Sequence, residues 1–150
     1  MVREGDPAPD FEVLDDQGKP FRLSDLNGKE VVLYFYPKAD TSGCTKEACE
    51  FRDAIGKFKR RGVVVIGVSP DKPTAQAKFK AKYDLSFPLL ADTDHKIAEA
   101  YGVWQEKSLY GKKYMGIART TFVIDRHGRI KKVFEKVKPE GHAEQVLAAL

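Results

Sequence analysis

Cys44 and Cys49 are the only thiols in the chain, and the first closes the run Pro37-Lys38-Ala39-Asp40-Thr41-Ser42-Gly43-Cys44, between an apolar strand-like stretch and a helical pattern. That placement points to redox chemistry. A helix N-terminus presents unpaired N–H groups and the positive end of the macrodipole, which favour thiolate over thiol, and the thiolate is the attacking species. The spacing Pro-x-x-x-Thr-x-x-Cys should arise by chance in fewer than roughly one chain in a hundred of this length. Each residue also has a plainer reading. Cys44 alone reads as a small buried hydrophobe, Thr41 as a helix N-cap, Pro37 as the end of a strand and Cys49 as a passive, half-exposed thiol.

The elements that must hold these residues alternate. Strand-like runs at Val31 to Tyr36, Val63 to Ser69 and Thr121 to Asp125 are separated by helical patterns, which predicts an α/β sheet with helices packed on it, in one domain spanning residues 1–150. Helices are predicted from Cys44 to about Lys59, Thr74 to Tyr83, His95 to Tyr101 and Glu140 to Leu150. The chain opens on a predicted hairpin, Phe11 to Leu14 and Phe21 to Leu23 around Asp16-Gln17-Gly18-Lys19, and a second turn is expected at Arg126 to Arg129. Residues Gln105 to Ile117, which contain glycine and lysines, read as a mobile loop.

On the first helix, Cys44, Ala48, Phe51, Ile55 and Phe58 form one apolar stripe, so Cys44 should top the face that packs on the sheet. Cys49 points about 100° away from Ala48, toward Arg52, Asp53 and Gly56, nearer solvent. In an intact helix two residues five apart are separated by a rise of ~7.5 Å and point ~140° apart, which no disulfide spans. Bonding Cys44 to Cys49 therefore requires the helix to unwind.

Taken together, these residues resemble a peroxiredoxin. Gly5-Asp6-Pro7-Ala8-Pro9-Asp10-Phe11 looks like the family's opening, Pro37, Thr41 and Cys44 match its active-site motif, and Arg119 precedes Thr121-Phe122-Val123-Ile124-Asp125 as the family's active-site arginine does. On its own, Arg119 reads as surface charge at the start of a strand. The Cys44-to-Cys49 spacing and Tyr101-Gly102-Val103-Trp104 resemble the bacterioferritin-comigratory, or Q-type, branch. The resemblance implies a thioredoxin-like fold with an added N-terminal β-hairpin and a mixed central sheet flanked by helices. It implies a thiol-dependent peroxidase that acts on hydrogen peroxide and organic hydroperoxides without a bound cofactor. Cys44 would be peroxidatic and Cys49 resolving, through an intramolecular disulfide recycled by thioredoxin or another dithiol.

Lowering a thiol pKa does little of that work. A thiol of pKa ~8.5 is ~3% ionised at pH 7, and a pKa of ~6 raises that about 30-fold. The same shift costs about tenfold in nucleophilicity at a Brønsted coefficient of ~0.4 to 0.5. The net gain is a few-fold. The remaining acceleration must come from stabilising charge on the peroxide oxygens as the O–O bond breaks. The expected donors are the backbone N–H groups of Gly43 and Cys44, the Thr41 hydroxyl and the guanidinium of Arg119, whose fixed fork of permanent charge suits the task. Pro37 is expected to wall this pocket.

Bulk properties set the remaining bounds. With 150 residues and 42% hydrophobic content, the chain can bury a core without a disulfide. No apolar run approaches the ~18 residues of a membrane span, and Met1-Val2-Arg3-Glu4-Gly5 lacks an apolar signal core, so a cytoplasmic location is expected, where a transient catalytic disulfide is the norm. The net charge of +4 is mild, and the basic run Arg126 to Lys138 alternates with apolar residues as an edge strand does, which argues against nucleic acid. His95, His127 and His142 form no metal-ligand spacing with the cysteines. An internal resolving cysteine makes a partner subunit unnecessary, so a monomer is expected. Two other functions fit the same cysteines. One is thiol–disulfide exchange, which usually uses Cys-x-x-Cys; the other is a redox-switched binding or chaperone module.

Overall fold

The computed structural model describes residues 1–150. A short hairpin, β1 (Glu12–Leu14) with β2 (Pro20–Arg22), leads through a 3-10 turn at Leu23–Leu26 into β3 (Glu30–Phe35). There follow α1 (Ser42–Arg60), β4 (Val63–Ser69), α2 (Pro73–Tyr83), β5 (Leu89–Ala91) and α3 (Lys96–Tyr101). The chain then forms a hairpin of β6 (Trp104–Leu109) and β7 (Lys112–Ile117), returns through β8 (Thr120–Ile124) and β9 (Ile130–Phe134), and ends in α4 (His142–Ala148). The central sheet has the order β5-β4-β3-β8-β9. β3 runs parallel to β4 and antiparallel to β8, so the sheet is mixed.

Alternation along β3 divides the core. Val32, Tyr34 and Tyr36 face α1, α2 and α4, where they meet Cys44, Ala48, Phe51, Phe58, Phe79 and Val146. Val31, Leu33 and Phe35 face the other side, against Ile97, Tyr101, Val103 and Phe122. Because both faces are covered, β3 reads as an unbroken apolar run. The helical stripe behaves as its spacing predicts: Cys44, Ala48, Phe51 and Phe58 are buried and Ile55 packs beside them, while Cys49 is half-buried.

Helix ends differ from the sequence reading by one or two residues. The fourth helix begins at His142 rather than Glu140 because Gly141 occupies its N-cap at φ +78°, outside helical geometry. The larger correction concerns residues 105–117, expected as a mobile loop. They form a six-pair antiparallel hairpin from Trp104↔Ile117 to Leu109↔Lys112, closed by Tyr110 and Gly111, both at positive φ. Its base is fixed by Trp104, which stacks on His95 with centroids 3.8 Å apart. The short β5 and the 3-10 turn were not legible as elements, each being only three or four residues long. β9 lies at the edge of the sheet, as its alternating basic pattern predicts.

Candidate active site

Tyr36 leaves β3 on the α1 face, and Pro37 to Thr41 turn the chain so that helix α1 begins above the edge of the core. That turn is tied down from outside. Asp71 Oδ2 accepts from the Ala39 N–H at 2.7 Å and from Ser69 Oγ at 2.6 Å. Asp40, at φ +59°, accepts from Lys82 Nζ at 2.9 Å and Tyr83 Oη at 2.7 Å. Both anchors come from the stretch between β4 and the end of α2, so the loop before Cys44 is held in one shape by a neighbouring element.

Thr41 is the N-cap of α1 by position, yet its side chain caps nothing. Its Oγ1 donates to the Lys38 carbonyl at 2.8 Å. The hydroxyl hydrogen is committed there, so the oxygen is left to accept rather than to donate as expected. The first bond of the helix runs from the Thr45 N–H to the Thr41 carbonyl at 2.8 Å, which leaves the N–H groups of Ser42, Gly43 and Cys44 without helical acceptors. Cys44 is only 1% exposed, and its Sγ accepts from Arg119 Nη2 at 3.2 Å. A Cβ on Gly43 would stand 3.4 Å from that same Nη2, an ordinary van der Waals contact, so the guanidinium packs directly against this first turn.

Arg119 is positioned by a residue that sequence reasoning missed. Its Nη1 donates to Glu47 Oε1 at 2.8 Å, and Glu47 is itself buried, with Oε2 lacking any protein partner. Burial pushes the Glu47 carboxyl up to about 7, against the opposing pull of Arg119 and with a smaller push from Glu50. Burial works against the Arg119 charge as well, but Glu47 and Cys44 more than offset it and raise its pKa above the ordinary arginine value. The i, i+3 spacing of Cys44 and Glu47 was the available signal: it places both on one helix face, under any cation above the sulfur.

The structure thus brings Cys44, Gly43 and Arg119 into one cluster, with Thr41 at the adjacent N-cap and Pro37, half-buried, at the start of the same loop. Cys49 is a free thiol on the next part of the helix, outside that cluster. A nucleophile beneath a guanidinium and above free backbone donors is a site that can attack a polarised bond and hold the charge that leaves.

The sequence profile of the AhpC/TSA family matches residues 4–133. The chain belongs to that family, as a peroxiredoxin. It is 51% identical over 149 residues to peroxiredoxin Bcp of Bacillus subtilis, covering 99% of this chain and 95% of that one. Among solved structures it is similar to a cysteine-to-serine mutant of PrxQ from Xylella fastidiosa, with a TM-score of 0.94 and 34% identity over 99% of this chain and 94% of that one. It is also similar to the Xanthomonas campestris bacterioferritin comigratory protein, whose structures concern alkyl peroxide reduction, with a TM-score of 0.89 and 37% identity over 93% and 88% of the two chains. The mixed sheet is therefore that of a thioredoxin-like peroxiredoxin with an added N-terminal hairpin, as the resemblance implied, and the enzyme is a thiol-dependent peroxidase. No helix of this peroxiredoxin is long and apolar enough to cross a membrane.

Proposed function

We propose that this peroxiredoxin reduces hydrogen peroxide and organic hydroperoxides through Cys44, resolves the product with Cys49, and is recycled by thioredoxin or another dithiol. The observation that carries this reading is the 3.2 Å bond from Arg119 to Cys44 Sγ beside unpaired N–H groups. In the first step the thiolate attacks one peroxide oxygen. An S–O bond forms, the O–O bond breaks, and the departing oxygen leaves as alcohol or water after taking a proton, with Cys44 oxidised to the sulfenic acid. Arg119 and the N–H groups of Gly43 and Cys44 face the charge that builds on the two oxygens. Thr41 Oγ1, its hydrogen directed at Lys38, accepts the peroxide O–H and so orients it. Pro37 walls the pocket.

In the second step the Cys49 thiol attacks the sulfenic sulfur, an S–S bond forms within the chain, and water leaves. The helix must open for this, since its geometry keeps the two residues apart. A dithiol then reduces the disulfide and is itself oxidised, with no bound cofactor needed. Resolution within one chain fits a cytoplasmic monomer. The test is peroxide loss followed directly with reduced protein and a thioredoxin regenerating system. Many equivalents consumed per protein support the enzyme; a single equivalent would leave only a redox switch.

A further inference from the structure

Tyr36, Ser69 and Gln76 are at most 1% exposed, and their polar groups form a chain of hydrogen bonds in which every direction is fixed. Gln76 Nε2 lies 2.9 Å from the Leu90 carbonyl, which can only accept, so this end of the amide is the donor. The same nitrogen donates to Ser69 Oγ at 2.7 Å, and Gln76 Oε1 accepts from Tyr36 Oη at 2.5 Å. Ser69 Oγ also accepts from the Asp71 N–H at 3.3 Å, so its one hydrogen goes to Asp71 Oδ2 at 2.6 Å. The chain ends on that carboxylate oxygen, which the core therefore aims.

Asp71 Oδ2 has one further donor, the Ala39 N–H at 2.7 Å. That N–H shares a peptide plane with the Lys38 carbonyl, and no peptide bond in the chain is cis, so the two groups point in opposite directions. The Lys38 carbonyl is the acceptor of the Thr41 hydroxyl hydrogen, at 2.8 Å. One rigid plane thus joins Asp71 on one edge to Thr41 on the other. Turned over, the plane would withdraw the carbonyl and free the Thr41 hydrogen to point elsewhere.

We propose that Asp71 is a positioning residue of the peroxidase reaction: by fixing the Lys38–Ala39 peptide plane it sets the direction of the Thr41 O–H, so that Thr41 Oγ1 meets the peroxide as an acceptor. The inference rests on the peroxidase reading and on the orienting role given there to Thr41. Asp71 bonds neither Cys44 nor Arg119, so it acts through the plane alone.

The experiment compares two reagents on the full chain carrying Cys49→Ser, which leaves one thiol to observe. Hydrogen peroxide offers an O–H for Thr41 to accept. Methyl methanethiosulfonate, which converts the same thiolate to a methyl disulfide, carries neither O–H nor N–H. Asp71→Ala should slow Cys44 oxidation by peroxide about three- to tenfold, the size of one hydrogen bond, and leave the thiosulfonate rate unchanged. Asp71→Asn, which keeps a carbonyl oxygen for the same two donors, should retain most of the peroxide rate. Ser69→Ala, which removes the bond that aims the carboxylate and leaves the Ala39 N–H its acceptor, should give a smaller loss with the same selectivity. In a Thr41→Val background Asp71→Ala should slow oxidation no further, because the hydroxyl it directs is gone. Equal losses with both reagents would overturn the proposal, since they would mean a displaced sulfur. So would an unchanged peroxide rate in Asp71→Ala, or losses from Asp71→Ala and Thr41→Val that multiply in the double variant. A parent protein whose Cys44 reacts with the thiosulfonate but not with peroxide overturns the peroxidase reading and this inference with it; a parent that consumes peroxide, with losses that multiply, overturns the inference alone.

Discussion

Within α1, Cys44 is 1% exposed, bonded by Arg119 and packed in the core cluster with Tyr34 and Phe51, while Cys49 is half-buried and has Arg52 one turn below it. Both halves of the helix pack in that core, but polar contacts concentrate at its reactive end. Its first turns are fixed by polar contacts: the Arg119–Glu47 pair, the Thr41–Lys38 bond and the Asp40 anchor to α2. Its later turns are fixed by Phe51, Ala54 and Phe58 in the core and by Arg52 Nη1, which donates to the Tyr83 carbonyl at 2.8 Å. Each fully buried phenylalanine contributes roughly 1.5–3 kcal/mol, so the later turns are costly to open. The contrast teaches where a redox helix can be both rigid and breakable: charge and hydrogen bonds hold the reactive end, and they can be exchanged for new partners once the sulfur changes state.

The sharpest way to break that contrast is to remove each sulfur in turn. Cys44→Ser should abolish peroxide consumption, because a neutral hydroxyl replaces the thiolate where the donors converge. Cys49→Ser should react once, stop at the sulfenic acid and be carried by excess peroxide to the sulfinic state, which mass spectrometry follows. Full turnover of Cys49→Ser with thioredoxin as sole reductant would remove Cys49 from the proposed cycle.

Next in size are the groups around Cys44. Arg119→Lys keeps the charge and loses the planar fork; Thr41→Val keeps the shape and loses the oxygen bonded to Lys38. If the site stabilises the transition state, Arg119→Lys should slow Cys44 oxidation on the order of 100-fold, or ~2.7 kcal/mol, and Thr41→Val, which removes an acceptor that orients the peroxide, should slow it less. Stopped-flow rates across pH decide: a drop that persists where Cys44 is fully ionised supports that mechanism, and recovery there reduces both residues to pKa tuners.

The lower half of the helix yields a more modest effect. With Cys44 and Cys49 joined, hydrogen exchange should rise from Ser42 to about Arg52, while the turn around Phe58 stays protected. Arg52→Gln removes the tether to Tyr83 and should speed disulfide formation severalfold, since a hydrogen bond from a charged donor contributes roughly 1.5–3 kcal/mol. Unchanged exchange with the disulfide present would contradict the unwinding.

What could be read in advance follows the range of the interactions. The strands β3 and β4, the helix stripe through Cys44 and Phe58 and the exposed side of Cys49 all follow from local periodicity, which the sequence displays directly. The β6–β7 hairpin was missed because its outer residues are exposed on both faces, so no apolar alternation marks it, and its turn is Tyr110-Gly111 rather than Asn-Gly. The spacing of Glu47 from Cys44 shows only a shared helix face; its pairing with Arg119, 72 residues away, and that of Asp71 with the Ala39 N–H, 32 away, are long-range contacts that local periodicity does not display.

The smallest change in rate should come from Glu47→Gln, which keeps a carbonyl oxygen for the 2.8 Å bond from Arg119 and removes a buried charge. Its clearer signature is in stability against pH. An acid whose folded pKa lies at about 7, above an ordinary 4.5, holds its proton more tightly when folded. The folded state then binds more protons than the unfolded one across that window, so stability is greatest below it and falls as pH rises through it. For a shift of this size the loss is on the order of 3 kcal/mol. Urea denaturation at several pH values should show that decline in the parent protein and a flatter profile in Glu47→Gln. In the same window the oxidation rate of the parent should rise with the Glu47 charge that grips Arg119, while Glu47→Gln should trail it by a few-fold at pH 8 and match it at pH 6. Parallel stability profiles would mean that Glu47 is ionised throughout, with Arg119 overcoming its burial; the reactive end of the helix would then be held by a permanent ion pair rather than by one that titrates near neutrality.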